Sequence, residues 1–318
     1  MKIKKLHIKN FKSLVDLEIV EPNPFTVFVG ANGVGKSNIF EALEFFLWSE
    51  ELDRLRTFGS AENIQNKSID DLYGKFIIQS DEFSLNTKVK YYYSDEFAEE
   101  GSLNSFDRKD IFRKISRSFS RYFVGKVDYQ KINYSDSSKL NFACTNLEKV
   151  LKRLLQEENE ELTEYLQLFV PEFEKVEIHS DNIGGTDTLL IYEKGSKKPF
   201  NKNLISDGTY NILCLLTAVY QSDEPQFLCI EEPENGLNPF VIKELVTLFR
   251  NACEEKGHYI WLNTHSQSLV EALTPDEIIL VDKVNGETKI KQTKGMNLHG
   301  LPTDEAWLSG ALGGGTPW

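Results

Sequence analysis

Apolar residues recur along this chain at two periods, and the switches between them mark out its elements. Lys2–Leu6 and Val15–Val20 alternate apolar with polar and predict two strands. Phe25–Val29 (FTVFV) is continuous, β-branched and aromatic, the pattern of a strand buried on both faces. From Ser37 to Trp48 the period lengthens, with Ile39, Leu43 and Leu47 on one face of a predicted helix. Polarity rises and periodicity fades over Arg54–Ser68, which reads as an exposed loop. Residues 75–95 alternate again and predict an antiparallel hairpin or small sheet. In 107–126 (DRKDIFRKISRSFSRYFVGK) Arg113, Arg117 and Arg121 lie four apart, opposite Ile111, Ile115 and Phe119, as on an amphipathic helix. Leu147–Phe169 has helical periodicity up to Pro171, and 175–195 holds two further strands. Residues 204–216 form an apolar helix behind SDGT. Gln226–Ile230 is a short buried strand, and 259–270 is a strand followed by a helix capped near Ser266.

The junction between the FTVFV strand and the first helix carries chemistry. It reads GANGVGKSN, from Gly30 through Ala31, Asn32, Gly33, Val34, Gly35, Lys36 and Ser37 to Asn38. A strand that stops, a backbone freed by three glycines and a helix that starts there aim N–H groups at one point, which is an anion site. Lys36 can reach the β- and γ-phosphates of a nucleotide, and the Ser37 hydroxyl can hold Mg²⁺. A nucleotide's phosphates and Mg²⁺ are therefore the expected ligands.

Composition narrows the setting. With 318 residues and 40% hydrophobic content the chain can bury one large core or two small ones. Cys144, Cys214, Cys229 and Cys253 form no metal-type spacing and fit buried thiols in a reducing cytoplasm. No stretch has the length of a membrane span, so no membrane partner is expected. A net charge of −13 argues against wholesale wrapping of nucleic acid, though not against a local basic groove.

A second set of residues answers the phosphate loop. The Gln226–Ile230 strand ends in Glu231 and Glu232, and adjacent carboxylates there are costly to bury without a shared cation or proton. Downstream of a phosphate loop, Glu231 is expected to support Mg²⁺ and Glu232 to orient and deprotonate the attacking water. In isolation the pair would be an acidic turn. Ser206 and Gly208 present a hydroxyl and backbone N–H groups at a helix start, as an anion contact or a plain N-cap. His265, at the end of its strand, is positioned to sense a γ-phosphate.

The order of phosphate loop, SDGT, EEPENGLNP and THS resembles the ATP-binding-cassette heads of the SMC/RecF and OLD-like group, and the compact stand-alone bacterial ATPases among them. LHIKNFKSL, NLEKVLKRLL and DEAWLSGALGGGTPW extend the resemblance over essentially the whole chain. It implies an α/β P-loop NTPase head with an antiparallel β subdomain and a helical insert. The expected division is an N-terminal lobe (1–70), β subdomain and insert (71–200), and a C-terminal lobe (201–318). Gly30–Ser37 would be the Walker A loop, Ser206–Thr209 the signature, and Glu231 and Glu232 the Walker B pair. Glu234–Pro239 would be the D-loop and His265 the switch histidine. Glu231 replaces a common aspartate, and Asn238 and Asn263 replace histidine and threonine at positions not expected to touch the chemistry. Tyr210 follows SDGT, and no arginine role carries over there. Gln65 and Gln79 are the candidates for the Q-loop glutamine.

The resemblance also makes the nucleotide ATP and implies an ATPase whose signature serves a second subunit. Two heads would clamp two ATP molecules, giving a homodimer or a higher even-numbered assembly. The 107–126 stripe is either a solvated face of a packed helix or a contact to DNA phosphates. The function would then be an ATPase engaged in DNA repair or phage defence. The alternative is a nucleotide-gated scaffold holding a separate effector protein, with little turnover. No nuclease constellation is visible, so a nuclease or toxin is expected to be a separate protein.

Overall fold

A computed structural model of the chain describes residues 2–47, 58–59, 61–68, 73–81, 83–91, 97–99, 113–124, 138–157, 160–180 and 187–315. The frame is a six-stranded sheet. Four of its strands are parallel neighbours: β3 (Phe25–Val29), β12 (Tyr259–Thr264), β11 (Phe227–Glu231) and β7 (Phe119–Phe123). On the other side of β3 lie β13 (Ile278–Val284), also parallel, and β14 (Glu287–Gln292), antiparallel at the edge.

Each central strand splits its side chains between two cores, as the period of two requires. Val27 and Val29, Leu228 and Ile230, and Ile260 and Leu262 face one core, while Phe28, Phe227, Cys229 and Trp261 face the other. The second core is closed by a five-stranded antiparallel sheet and by helix α1 (Lys36–Leu47). That sheet runs β2 (Leu14–Val20), β1 (Ile3–Phe11), β4 (Tyr73–Ser80), β5 (Ser84–Tyr91) and β6 (Phe97–Glu99), so it joins strands from both sides of residue 70. A short helix, α2 (Ala61–Ile64), follows Phe58, which packs on Phe11 and Phe45. The polar 54–68 stretch is thus not all exposed loop.

Helices α3 (Leu147–Gln156), α4 (Glu160–Phe169), α5 (Asp207–Tyr220) and α6 (Pro239–Glu255) build the first core with a small sheet of β8 (Phe173–Ser180), β9 (Asp187–Glu193) and β10 (Phe200–Asn201). The single helix expected over 147–169 is two, with Glu157 capping the first. Carboxylates crowded mid-helix repel one another, whereas Glu160 and Glu161 in a new first turn favour the positive helix end. Helices α7 (Gln267–Glu271) and α8 (Thr303–Leu308) finish the C-terminal side.

The largest departure lies in 107–126. Of the described part, only 113–118 is helical, and the chain then becomes β7. Arg113 and Arg117 are exposed on the helix, but Arg121 is buried in the sheet, and Ile111 lies outside the described residues. The largely aromatic run FSRYF pairs with β11 in register, Phe119 against Phe227 and Phe123 against Glu231. Pairing with a buried strand outweighed the helical spacing of the arginines. No continuous Arg113–Arg117–Arg121 stripe exists.

Trp261 is fully buried between Phe28 and Phe227, and its indole N–H has no partner among the described residues. Trp261→Ala should therefore lower stability by about 3–5 kcal/mol. Trp261→Phe, which also removes the orphan donor, should cost clearly less. Urea denaturation of the two variants against wild type checks the order.

Candidate nucleotide site

The phosphate loop is locked from behind. Gly33 and Gly35 have φ of 78° and 104°, and a Cβ on Gly35 would lie 2.1 Å from Thr288 Oγ1. Thr288, on β14, donates from its hydroxyl to the Val34 carbonyl at 2.7 Å and from its N–H to the Ser13 carbonyl at 2.9 Å. The Ser13 and Thr288 hydroxyls are 2.6 Å apart, and Asn38 Nδ2 donates to Ser13 Oγ at 2.7 Å. The edge strand and the β1–β2 turn thereby fix the loop and the first turn of α1. Asn32 and Gly33 are left exposed at its tip.

Lys36 is buried and donates from Nζ to the carbonyls of Gly30 and Ala31, at 2.7 and 2.8 Å. Burial pulls its pKa below the usual lysine range, against the raising influence of Glu232, Glu234 and Glu231. Ser37 Oγ donates to Glu231 Oε2 at 2.6 Å. A hydroxyl beside a carboxylate is an all-oxygen donor pair of the kind Mg²⁺ accepts, with water completing its shell.

Parallel pairing brings three strand ends to this loop: Glu231 aligns with Asn263, and Thr264 with Val29. Glu232 turns into the left-handed region at φ 47°, a strained position for a side-chain-bearing residue. Its N–H is held there by both the backbone and the side-chain oxygen of Asn263, each at 3.1 Å. The half-exposed Glu232 carboxylate lies 3.4 Å from His265 Nδ1 and accepts from Asn235 Nδ2 at 3.1 Å. Glu231 also takes a bond from buried Arg121. Burial alone would lower that guanidinium's pKa, but Glu44, Glu231 and Glu41 together raise it above its ordinary value.

Ser206 caps α5, accepting from the Thr209 N–H at 3.1 Å, and is exposed. Gly208 packs so tightly on the next loop that a Cβ would meet the Gly236 carbonyl at 2.6 Å. Asn211 Nδ2 donates to the Asn235 carbonyl at 2.8 Å. The SDGT turn and the EEPENGLNP loop thus form one surface, and Glu232 and Asn235 tie it to the strand ends. Asn238 caps α6 through the Val241 N–H at 3.0 Å, which accounts for an asparagine there.

Two sequence expectations change. Asn263 does touch the site, holding Glu232 and lying 3.5 Å from Ser37 Oγ through Nδ2. Its signal was a lone amide in an otherwise apolar strand, one residue from the strand's end. Arg121 is not on a DNA-facing stripe but at Glu231, and its signal was a charge in phase with the aromatics of FSRYF. Of the glutamines, Gln79 is exposed on β4 opposite Lys5 and Ser84, in the antiparallel sheet, and Gln65 follows α2. Neither stands at the ends of the parallel strands.

This sheet order and phosphate loop define an ATP-binding-cassette-type ATPase head of the SMC/RecF kind. The chain belongs to the family described as "AAA domain, putative AbiEii toxin, Type IV TA system", whose model matches residues 25–271. It is similar to the DNA replication and repair protein RecF of Lactococcus lactis subsp. cremoris, 24% identical over 255 residues, covering 69% of this chain and 70% of that protein. It also resembles the chromosome partition protein Smc of Methanocaldococcus jannaschii, 44% identical over 54 residues, which are 17% of this chain and only 5% of that protein. Among solved structures, the Smc head bound to the C-terminal winged-helix domain of ScpA superposes with a TM-score of 0.63 at 17% identity, over 92% of this chain and 97% of that one. The Smc head of Thermotoga maritima gives 0.54 at 19% identity, over 92% and 99%.

Glu234 offers a test of the site's electrostatics. It is buried, accepts a bond from Thr264 at Oε1 and has no partner at Oε2 among the described residues, and burial raises its pKa to about 7. A carboxyl whose folded pKa is raised binds more protons in the folded state, so its contribution weakens as pH climbs from about 4.5 to 7. Glu234→Gln should remove that loss, gaining stability over wild type by up to about 3 kcal/mol between pH 5 and pH 8. Urea melts at both pH values check this, and parallel profiles would refute it.

Proposed function

We propose that this chain binds and hydrolyses MgATP and that two copies close on the nucleotide. The observation that carries the reading is the meeting of Ser37 and Glu231 at 2.6 Å, with Glu232 and His265 beside each other at 3.4 Å. In this reading Gly30, Ala31, Asn32, Gly33, Val34, Gly35 and Asn38 surround the phosphates. Lys36 exchanges the carbonyls of Gly30 and Ala31 for β- and γ-phosphate oxygens. Ser37 and Glu231 hold Mg²⁺, which when bound neutralises charge on the phosphates. Glu232 takes the proton of the attacking water, and His265 steadies Glu232 and the γ-phosphate end.

Pairing of two copies is supported by the exposed SDGT surface. Ser206 points outward, and Leu204 and Phe240, on either flank of the joined loops, are 66% and 58% exposed. Large apolar residues left open beside an anion-binding turn suit contact with a second copy. Ser206 and Gly208 would then complete the partner's nucleotide site.

The cycle serves, in our reading, a DNA-directed process in the cytoplasm, either repair or phage defence; similarity to a DNA replication and repair protein and to a chromosome partition protein supports the DNA-directed part. A second reading, a nucleotide-gated scaffold for a separate effector protein, gains from the burial of Arg121, which removes a third of the expected DNA stripe. All four cysteines are buried, with the thiol of Cys253 pushed up to about 12, so they add no chemistry. No described helix is long and apolar enough to cross a membrane.

Glu232→Gln keeps shape and a hydrogen bond but loses basicity, so ATP hydrolysis should slow by about a hundredfold or more while binding persists. Light scattering should then show an ATP-dependent gain in mass, reversed by adding Ser206→Arg. Lys36→Ala should lose binding and turnover together. Unchanged turnover in Glu232→Gln would remove that residue from the catalytic role.

A further inference from the structure

Strand β7 carries one charged side chain into the interior. Arg121 is 7% exposed and stands opposite Cys229 in the ladder with β11. Its Nε donates to Glu231 Oε1 at 2.6 Å, and Nη2 closes a second bond to the same oxygen. Nη1 donates to Glu44 Oε2 at 2.6 Å, while Nη2 lies 3.5 Å from Glu41 Oε1. The guanidinium carbon stands 5.0 Å from the centre of the Phe142 ring. Glu41 also pairs with Lys12. Ser37, Glu41 and Glu44 are spaced by four and three along α1, so they share a face.

The two oxygens of Glu231 have different partners. Oε1 belongs to Arg121, and Oε2 accepts from Ser37. The oxygen that would face the metal is the one Arg121 does not touch. We propose that Arg121 is a positioning residue for Mg²⁺: it pins Oε1 of Glu231 so that Oε2 is presented to Ser37, and it ties that carboxylate to α1. This rests on the reading of Ser37 and Glu231 as the Mg²⁺-holding pair.

Arginine suits the task because its planar fork binds two carboxylates at once in fixed directions. A lysine keeps the charge of the cluster but loses the fork. Arg121→Lys therefore separates positioning from electrostatics. A merely structural ion pair would lower stability in that variant and leave the Mg²⁺ dependence alone.

The test is binding of a fluorescent ATP analogue titrated with Mg²⁺, in wild type, Arg121→Lys and Glu44→Gln, with a parallel series in EDTA. Groups that orient a metal ligand typically change metal affinity by ~10–100-fold when altered. Arg121→Lys should raise the half-maximal Mg²⁺ concentration by about tenfold or more. Glu44→Gln, which frees the other end of the guanidinium, should raise it less, and in EDTA all three proteins should bind alike. A wild-type Mg²⁺ midpoint in folded Arg121→Lys overturns the proposal. If that variant does not fold, a wild-type midpoint in Glu44→Gln overturns it instead. Mg²⁺-independent binding by wild type itself would overturn the reading of Ser37 and Glu231, and the inference with it. An unchanged midpoint in the variants alone overturns only the inference.

Discussion

A carboxylate at the end of a strand buried on both faces must meet a cation or a proton, and in this molecule Glu231 meets Arg121. The demand reaches far into the fold. It requires β7 beside β11, because only a neighbouring strand can deliver a guanidinium to that point from within the sheet. It also sets α1 against β7, where Glu44 and Glu41 lie against the guanidinium's other nitrogens and Lys12 pairs with Glu41. Three carboxylates around one guanidinium would repel strongly without it, and removing one partner of such a buried group is commonly the costly step.

From that pairing the site assembles by short links. Ser37 reads the free oxygen of Glu231, and Asn263 lies between Ser37 and the strained backbone of Glu232. Glu232 then reaches His265 on one side and Asn235 on the other, and Asn235 carries the contact to α5 through Asn211. The phosphate loop and the SDGT surface, far apart in sequence, are thus joined through side chains that run from α1 past the ends of β11 and β12, through the loop after β11, to α5. A change in charge at the loop has a physical route to the surface proposed to meet a second copy.

Much of this was legible before any coordinates. FTVFV, GANGVGKSN and the strand ending in Glu231 and Glu232 announce themselves because buried parallel strands are continuous apolar runs and phosphate loops need glycine at fixed offsets. The hairpin at 75–95 followed from alternation, and both its strands are present as β4 and β5. What escaped was decided by neighbours. FSRYF reads equally as helix face or strand, and only β11 beside it settles the period and turns Arg121 inward. Asn263 looked peripheral because its partners, Ser37 and Glu232, come from distant segments brought together by strand register. The break at Glu157 was hidden because helical periodicity continues across it while charge repulsion interrupts the backbone.

The most direct measurement is a crystal structure of Glu232→Gln grown with Mg²⁺ and ATP. The account predicts Lys36 Nζ on phosphate oxygens instead of the Gly30 and Ala31 carbonyls, and a metal ion beside Ser37 and Glu231. It also predicts Ser206 and Gly208 of a second copy against the nucleotide. ATP bound elsewhere, or held by one copy with its SDGT surface facing solvent under conditions that slow hydrolysis, would contradict it.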